Sequence, residues 1–284
     1  MHSFSSQRIK HVATLLICAG MVFLSFETTR VQSQKAQSVA NSQLPTLFVI
    51  GDSTANNNTI GARGWADPLS SHFDLNKINV MNRARAGRSS RTFLIEGLWD
   101  KVLQEIKAGD VVLIQFGHND GGPLDTGRAR GSLPGTGEET KEITKPDGVK
   151  EVVHTYGWYL RRYIADTRAK RATPILLSLT VRNIWKDGKV ERGSGRFGQW
   201  AREVALDQGV QFLDLTTLIA NEYERQGLEK VQPLFAGDHT HTSLAGAELN
   251  AALVVLGLKT LKDCQLCRHA RTTKANETDS TSPF

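Results

Sequence analysis

Thr46-Leu-Phe-Val-Ile-Gly51-Asp-Ser-Thr54 is the stretch whose reading decides the fold of this chain. A short apolar run, Thr46 to Ile50, stops at a glycine and a polar cluster, which suits a strand buried on both faces. Four more runs follow the same rule: Ile78 to Met81, Val111 to Phe116, Thr173 to Val181 and Val210 to Asp214. Between them lie amphipathic segments. Ser89 or Ser90 can cap a helix through Leu94, Leu98, Val102 and Ile106, where apolar residues recur every fourth position. Further helices are expected over Val149 to Lys170, Arg196 to Gln208, Leu215 to Arg225 and Ser243 to Leu258. Five strands separated by helices predict an α/β domain, an open parallel sheet with helices on both sides. Such sheets bind ligands at the C-terminal ends of their strands, so function is expected in the loops that leave them.

Composition bounds the alternatives. The chain has 284 residues, 39% hydrophobic and 23% charged, which excludes wholesale disorder, and three cysteines, too few for a disulfide-built scaffold. Its net charge of +6 sits mostly at the ends; residues 41–261 hold 27 basic and 25 acidic residues, a net of +2, and no nucleic-acid partner is expected. Arg8, Lys10 and His11 precede a 15-residue uncharged stretch, Val12 to Phe26, the length of an export signal. Residues 1–40 are therefore read as a signal plus linker, with Ser38-Val-Ala40 a late cleavage candidate. The chain is expected to be secreted or periplasmic, and to meet a membrane only if this segment stays as an anchor. Residues 41–261 are read as the single folded domain, expected to act as a monomer, and 262–284 as a flexible C-terminal tail. In that tail Cys264-Gln-Leu-Cys267 lacks the companion ligands of a metal site and reads as a local disulfide or two idle thiols.

Four loops carry chemical residues. Gly51-Asp-Ser53 follows the first strand, and a serine on a tight strand-to-helix turn stands clear of the sheet beside backbone N–H groups that can hold an oxyanion. The second run leads into Asn82-Arg-Ala-Arg-Ala-Gly87-Arg-Ser-Ser-Arg91, where Gly87 lets the backbone approach a ligand closely. The third ends in Gly117-His-Asn-Asp120, and the Asn119 amide is a neutral oxyanion donor. Gly237-Asp-His-Thr-His-Thr-Ser-Leu-Ala-Gly246 precedes the last helix; the Asp238-x-x-His241 spacing lets the carboxylate hold Nδ1–H and leaves Nε2 to take a serine proton. Each motif alone also reads as an ordinary turn. Asp238, His239 and His241 further allow a rival reading, a three-ligand metal site.

Together, in this order, the four blocks resemble the signature blocks of the SGNH (GDSL-type) hydrolases. Gly51-Asp-Ser-Thr, Gly64-Trp-Ala66, Phe116-Gly-His-Asn-Asp-Gly-Gly122 and Asp238-His-Thr-His-Thr-Ser-x-Ala-Gly246 resemble the rhamnogalacturonan acetylesterases among them, as does the long insert after Asp120 with Gly135-Thr-Gly137 and Asp147-Gly148. The likeness covers roughly residues 45 to 258. It implies a flavodoxin-like three-layer α/β/α sandwich with a five-stranded parallel sheet, no metal and no cofactor. It also implies a carbohydrate esterase that removes acetyl groups from rhamnogalacturonan in pectin.

On this reading Ser53, His241 and Asp238 form the catalytic triad, and the N–H groups of Ser53 and Gly87 with the Asn119 side chain form the oxyanion hole. The partner expected is an acetylated acidic polysaccharide. Galacturonate is anionic and arginine pairs well with carboxylates, so Arg88 first, then Arg63 and Arg85, are expected to bind substrate; Arg83 and Arg91 lie in the same cluster, and solvated helix-start charges are the bland alternative. The competing functions are an acetylesterase for xylan or small acyl esters, a metal-dependent hydrolase, and a glycan-binding protein without activity.

Overall fold

The computed structural model describes residues 41, 43–193, 195–262 and 264–271. The expected export segment and the end of the expected tail lie outside the described residues.

Each apolar run forms a strand of one parallel sheet. β1 (Thr46–Gly51), β2 (Asn79–Asn82), β3 (Val111–Gln115), β6 (Thr173–Leu177) and β9 (Gln211–Leu213) lie side by side in the order β2-β1-β3-β6-β9. Successive strand residues point to opposite faces, and here both faces are covered. Leu47 and Val49 join one core with Ile219 of α5 (Leu215–Gln226) and Val254 of α7 (Leu244–Leu258). Phe48 and Ile50 join the other with Phe93 of α1 (Ser90–Ile95), Trp99 of α2 (Leu98–Glu105), Tyr163 of α3 (Tyr156–Ala169) and Val204 of α4 (Phe197–Asp207). Three layers result, as expected.

Two helix expectations change. The four-residue rhythm from Leu94 to Ile106 spans two helices, because Gly97 takes a left-handed conformation (φ 68°) between α1 and α2. The helix expected from Val149 starts only at Tyr156, capped by Thr155, whose hydroxyl accepts the Trp158 N–H at 3.1 Å. Before it, β4 (Thr140–Thr144) and β5 (Lys150–His154) form an antiparallel hairpin closed at Asp147-Gly148. The β-branched Val152 and Val153 favour the strand, and Val153 is buried with Ile143. A two-residue ribbon, β7 (Trp185–Lys186) with β8 (Lys189–Val190), and a short α6 (Leu228–Val231) complete the regular elements outside 3-10 turns.

The flexible tail expected from residue 262 is corrected over its first part. Cys264 and Cys267 form a disulfide and, with Leu266, bury themselves in the core beneath α7 and the 3-10 turn Leu69–His72. Backbone bonds from Arg271 N to His72 O (2.7 Å) and from Asp74 N to His269 O (3.0 Å) hold this segment down. It therefore belongs to the domain, because it supplies apolar side chains to the core that Leu47 and Val49 share with α5 and α7.

Candidate active site

The loop after β1 is shaped by its own aspartate. Asp52, fully buried, accepts from the Thr54 N–H and hydroxyl, both at 2.8 Å, and its carbonyl accepts from Ala55 and Asn56 N–H. Gly64-Trp65-Ala66 packs across this turn. A Cβ on Gly64 would lie 2.1 Å from the Ala55 carbonyl carbon, so only glycine fits. Trp65 N and Ala66 N bond the carbonyls of Thr54 and Ala55, and Trp65 Nε1 donates to Gln115 of β3 at 2.7 Å. Ser53 is thereby fixed at the C-terminal edge of the sheet.

The loop before α7 is tied to the same frame. Thr242 Oγ1 donates to the Arg63 carbonyl at 2.8 Å and Arg63 N to the Thr242 carbonyl at 2.9 Å. His241 then sits with Nε2 2.9 Å from Ser53 Oγ and Nδ1 2.7 Å from Asp238 Oδ2. Partial burial works against ionising Asp238, but the His241 side chain and the His241 and Thr240 N–H groups outweigh it, holding its carboxyl down at about 2. The ionised carboxylate can only accept, so Nδ1 carries the proton and Nε2 of the neutral ring is free to accept from the serine hydroxyl. Both side chains stay open to solvent, 49% and 32% exposed.

Gly87 follows β2 with φ 79°, a left-handed conformation that leads the chain into α1, whose cap is a reciprocal pair of bonds between Ser89 and Thr92. Asn119 donates one amide N–H to the Arg88 carbonyl at 2.8 Å, which leaves the other for a ligand. Ser53, Gly87, Asn119 and His241 line one cavity of about 500 Å³. The backbone N–H groups of Ser53 and Gly87 have no acceptor among the described residues, so both are available to a developing negative charge. Next to Asn119, Asp120 is fully buried and receives the Ser90 N–H (3.1 Å), the Ser90 hydroxyl and the Ser132 hydroxyl (3.1 Å).

Of the arginines expected to meet substrate, only Arg88 lines the cavity, and its Nε is paired with Glu96 at 2.8 Å. Arg63 and Arg85 do not line it. The Arg63 guanidinium folds back onto the Ala62 carbonyl, and Arg85 is exposed. Arg83 pairs with Glu105, and Arg91 is buried. The cations that the sequence did not single out are Arg128 and Arg130, from the insert after Asp120. Arg130 Nη1 donates to the Gly87 carbonyl at 3.2 Å; burial, and Arg128 beside it, push its guanidinium below the ordinary value. Only an arginine-rich insert (Arg128-Ala-Arg130) signalled them. Asp238, His239 and His241 do not make a three-ligand cluster: among the described residues no group of three histidine, cysteine, aspartate or glutamate side chains could hold a metal ion.

A sequence model of the GDSL-like lipase/acylhydrolase family matches residues 49–249. The rhamnogalacturonan acetylesterase of Emericella nidulans is 34% identical over 206 residues, 72% of this chain and 81% of that protein. The probable rhamnogalacturonan acetylesterase YesY of Bacillus subtilis is 31% identical over 222 residues, covering 76% and 93%. The crystal structure of the Bacillus subtilis protein YxiM shares the fold with a TM-score of 0.61 at 24% identity, over 76% of this chain and 56% of that one. Chain order, sheet topology and sequence agree: this protein belongs to the GDSL-like lipase/acylhydrolase family and is a carboxylic ester hydrolase.

Proposed function

We propose that this chain is a secreted, monomeric serine esterase that removes acetyl groups from a pectic polysaccharide, rhamnogalacturonan first, through an acetyl-Ser53 intermediate. The observation that carries the chemistry is the 2.9 Å contact between Ser53 Oγ and His241 Nε2, with Asp238 at 2.7 Å behind the ring. Serine is a weak nucleophile near neutral pH until such a base is beside it. Oγ attacks the acetyl carbonyl as Nε2 takes the hydroxyl proton. The oxyanion is held by the N–H groups of Ser53 and Gly87 and by the Asn119 amide. Collapse releases the sugar hydroxyl, which leaves with the proton from His241. Water, deprotonated by the same nitrogen, then frees acetate.

The substrate class rests on charge and on likeness. Arg88, Arg128 and Arg130 face the cavity against one acid, Glu96, which suits an anionic sugar chain better than a lipid. Two relatives bear the name rhamnogalacturonan acetylesterase. The uncharged stretch Val12–Phe26 behind Arg8 and Lys10 supports the reading of export.

The test is acetate release from a panel of acetylated polysaccharides, comparing the native protein with Ser53→Ala. Native enzyme should prefer acetylated rhamnogalacturonan, and Ser53→Ala should release almost nothing from any substrate. Preference for acetylated xylan would reassign the substrate, and full activity in the variant would overturn the mechanism.

A further inference from the structure

One buried guanidinium organises the ground beside the active site. Arg91, 0% exposed, meets the two carboxylate oxygens of Glu151 in β5 through Nε (2.7 Å) and Nη2 (3.0 Å). Its Nη1 donates to the carbonyls of Leu124 (2.9 Å) and Gly131 (2.7 Å). A bidentate pair with two further carbonyl acceptors fixes α1, the insert and the β4–β5 hairpin to one another. The insert keeps Ala129, a non-glycine, in the left-handed region (φ 44°), a conformation L side chains disfavour. The residues on either side of it, Arg128 and Arg130, both line the cavity at Ser53.

Between these three pieces lies a second cavity of about 500 Å³. It shares Thr92, Glu96 and Arg128 with the first, so the two adjoin. Its chemistry is mixed. Ile95 and Val149, 44% and 52% exposed, offer aliphatic surface, while Arg128 and Lys150 supply positive charge. The acids on its wall are already engaged: Glu96 with Arg88, Glu151 with Arg91 and Asp147 with Lys145. Arg128 and Lys150 have no carboxylate partner among the described residues. Their field is therefore left for a ligand, and within a walled cleft it is less screened than on open surface.

We infer that this second cavity is a distal subsite for the continuing acidic glycan chain. A uronate carboxylate lies between Arg128 and Lys150, and the C–H face of an adjoining sugar lies on Ile95 and Val149. The inference rests on the acidic-glycan reading above and extends it: the enzyme recognises a chain several sugars long, and a single acetylated sugar fills only the first cavity.

Two measurements on the full chain test it. The first is calorimetric binding of an unesterified galacturonate tetramer to native protein, to Arg128→Ala/Lys150→Ala, and to Lys141→Ala. Lys141 is exposed on the same hairpin but outside the cavity, so it controls for loss of charge alone. The double variant should bind about tenfold or more weakly, with Lys141→Ala matching native. The second is KM for acetate release from fragments of increasing length, where the penalty in the double variant should grow with length. Equal tetramer binding by native and double variant, no binding by native, or a KM penalty independent of length would overturn the subsite. If native protein binds the tetramer through these residues yet releases no acetate from rhamnogalacturonan, the substrate assignment fails and the subsite stands. Efficient deacetylation with no penalty in the variant gives the reverse.

Discussion

Asn119 Nδ2 lies 2.8 Å from the carbonyl oxygen of Arg88, so the third loop is fastened to the second at the residue after Gly87. This bond aims the Asn119 amide. With one N–H committed to Arg88, the side chain cannot rotate freely, and it lines the cavity that Ser53 and Gly87 share with a second N–H unspent. A donor fixed before the reaction stabilises an oxyanion without reorganising at the moment charge develops.

Replacing Asn119 by alanine should therefore lower turnover on a small acetate ester on the order of a hundredfold or more, since one such donor is typically worth about 3–4 kcal/mol. The fold should survive, as circular dichroism and the thermal midpoint can report. Turnover near that of the native enzyme would take Asn119 out of the oxyanion hole.

Asp238 sets a second expectation. Its carboxyl is held at about 2 by hydrogen bonds from His241 and Thr240, which overcome partial burial, so it stays ionised through the working range. The acid limb of the activity profile should therefore contain no titration of Asp238 above about pH 3. Asp238→Asn should lower kcat by a similar large factor, on the order of a hundredfold, at every pH from 5 to 9, because an amide no longer enforces the Nδ1–H tautomer. A variant that merely shifts the profile along the pH axis would contradict this role.

Asp120 predicts a pH-dependent stability. Burial, with Asp52 nearby, pushes its carboxyl up to about 7 against hydrogen bonds from Ser90 and Ser132, compared with 3.8 for an ordinary aspartate. Between those values the folded chain holds a proton that the unfolded chain has lost. The contribution is thus fully present below about pH 4 and is lost as pH rises through about 7, amounting to about 4 kcal/mol at most. Denaturant unfolding from pH 4 to 8 should show native stability falling relative to Asp120→Asn. Parallel curves for the two proteins would mean that Asp120 is ionised throughout.

Arg91 makes the strongest structural prediction. Arg91→Met should destabilise the domain by about 3 kcal/mol, because it leaves the largely covered Glu151 carboxylate without its partner and two carbonyls without a donor. The thermal midpoint should drop by several degrees. A loss under 1 kcal/mol would mean that water or another side chain replaces the guanidinium.

Much of the site could be read in the chain because its residues stand directly after strands. Thr46 to Ile50 and Val111 to Gln115 are mostly apolar and buried throughout since both sheet faces are covered, and Ser53 and Asn119 follow each within a few residues. The Asp238–His241 pairing was equally legible, being local. Arg91 was not. In the sequence it stands beside Arg88 as one more charge at a helix start, and its burial depends on Glu151, 60 residues away. The same holds for Val149 to His154, whose strand is decided by pairing with Thr140–Thr144, and for Arg128 and Arg130, which reach the cavity only because the insert folds back.

The residues by themselves determined the five buried runs, the loops after them, and the chemical groups each loop carries. Those features are local, set by side-chain periodicity and by which residues turn the chain. Only the tertiary structure decided which groups meet. Ser53 and His241 are 188 residues apart, joined because the Arg63 and Thr242 backbones bond each other across two loops. It also decided which arginines face the cleft. Charge in a sequence has no direction until long-range packing neutralises some of it, as Glu96, Glu105 and Glu151 do for Arg88, Arg83 and Arg91, and leaves the rest exposed to a ligand.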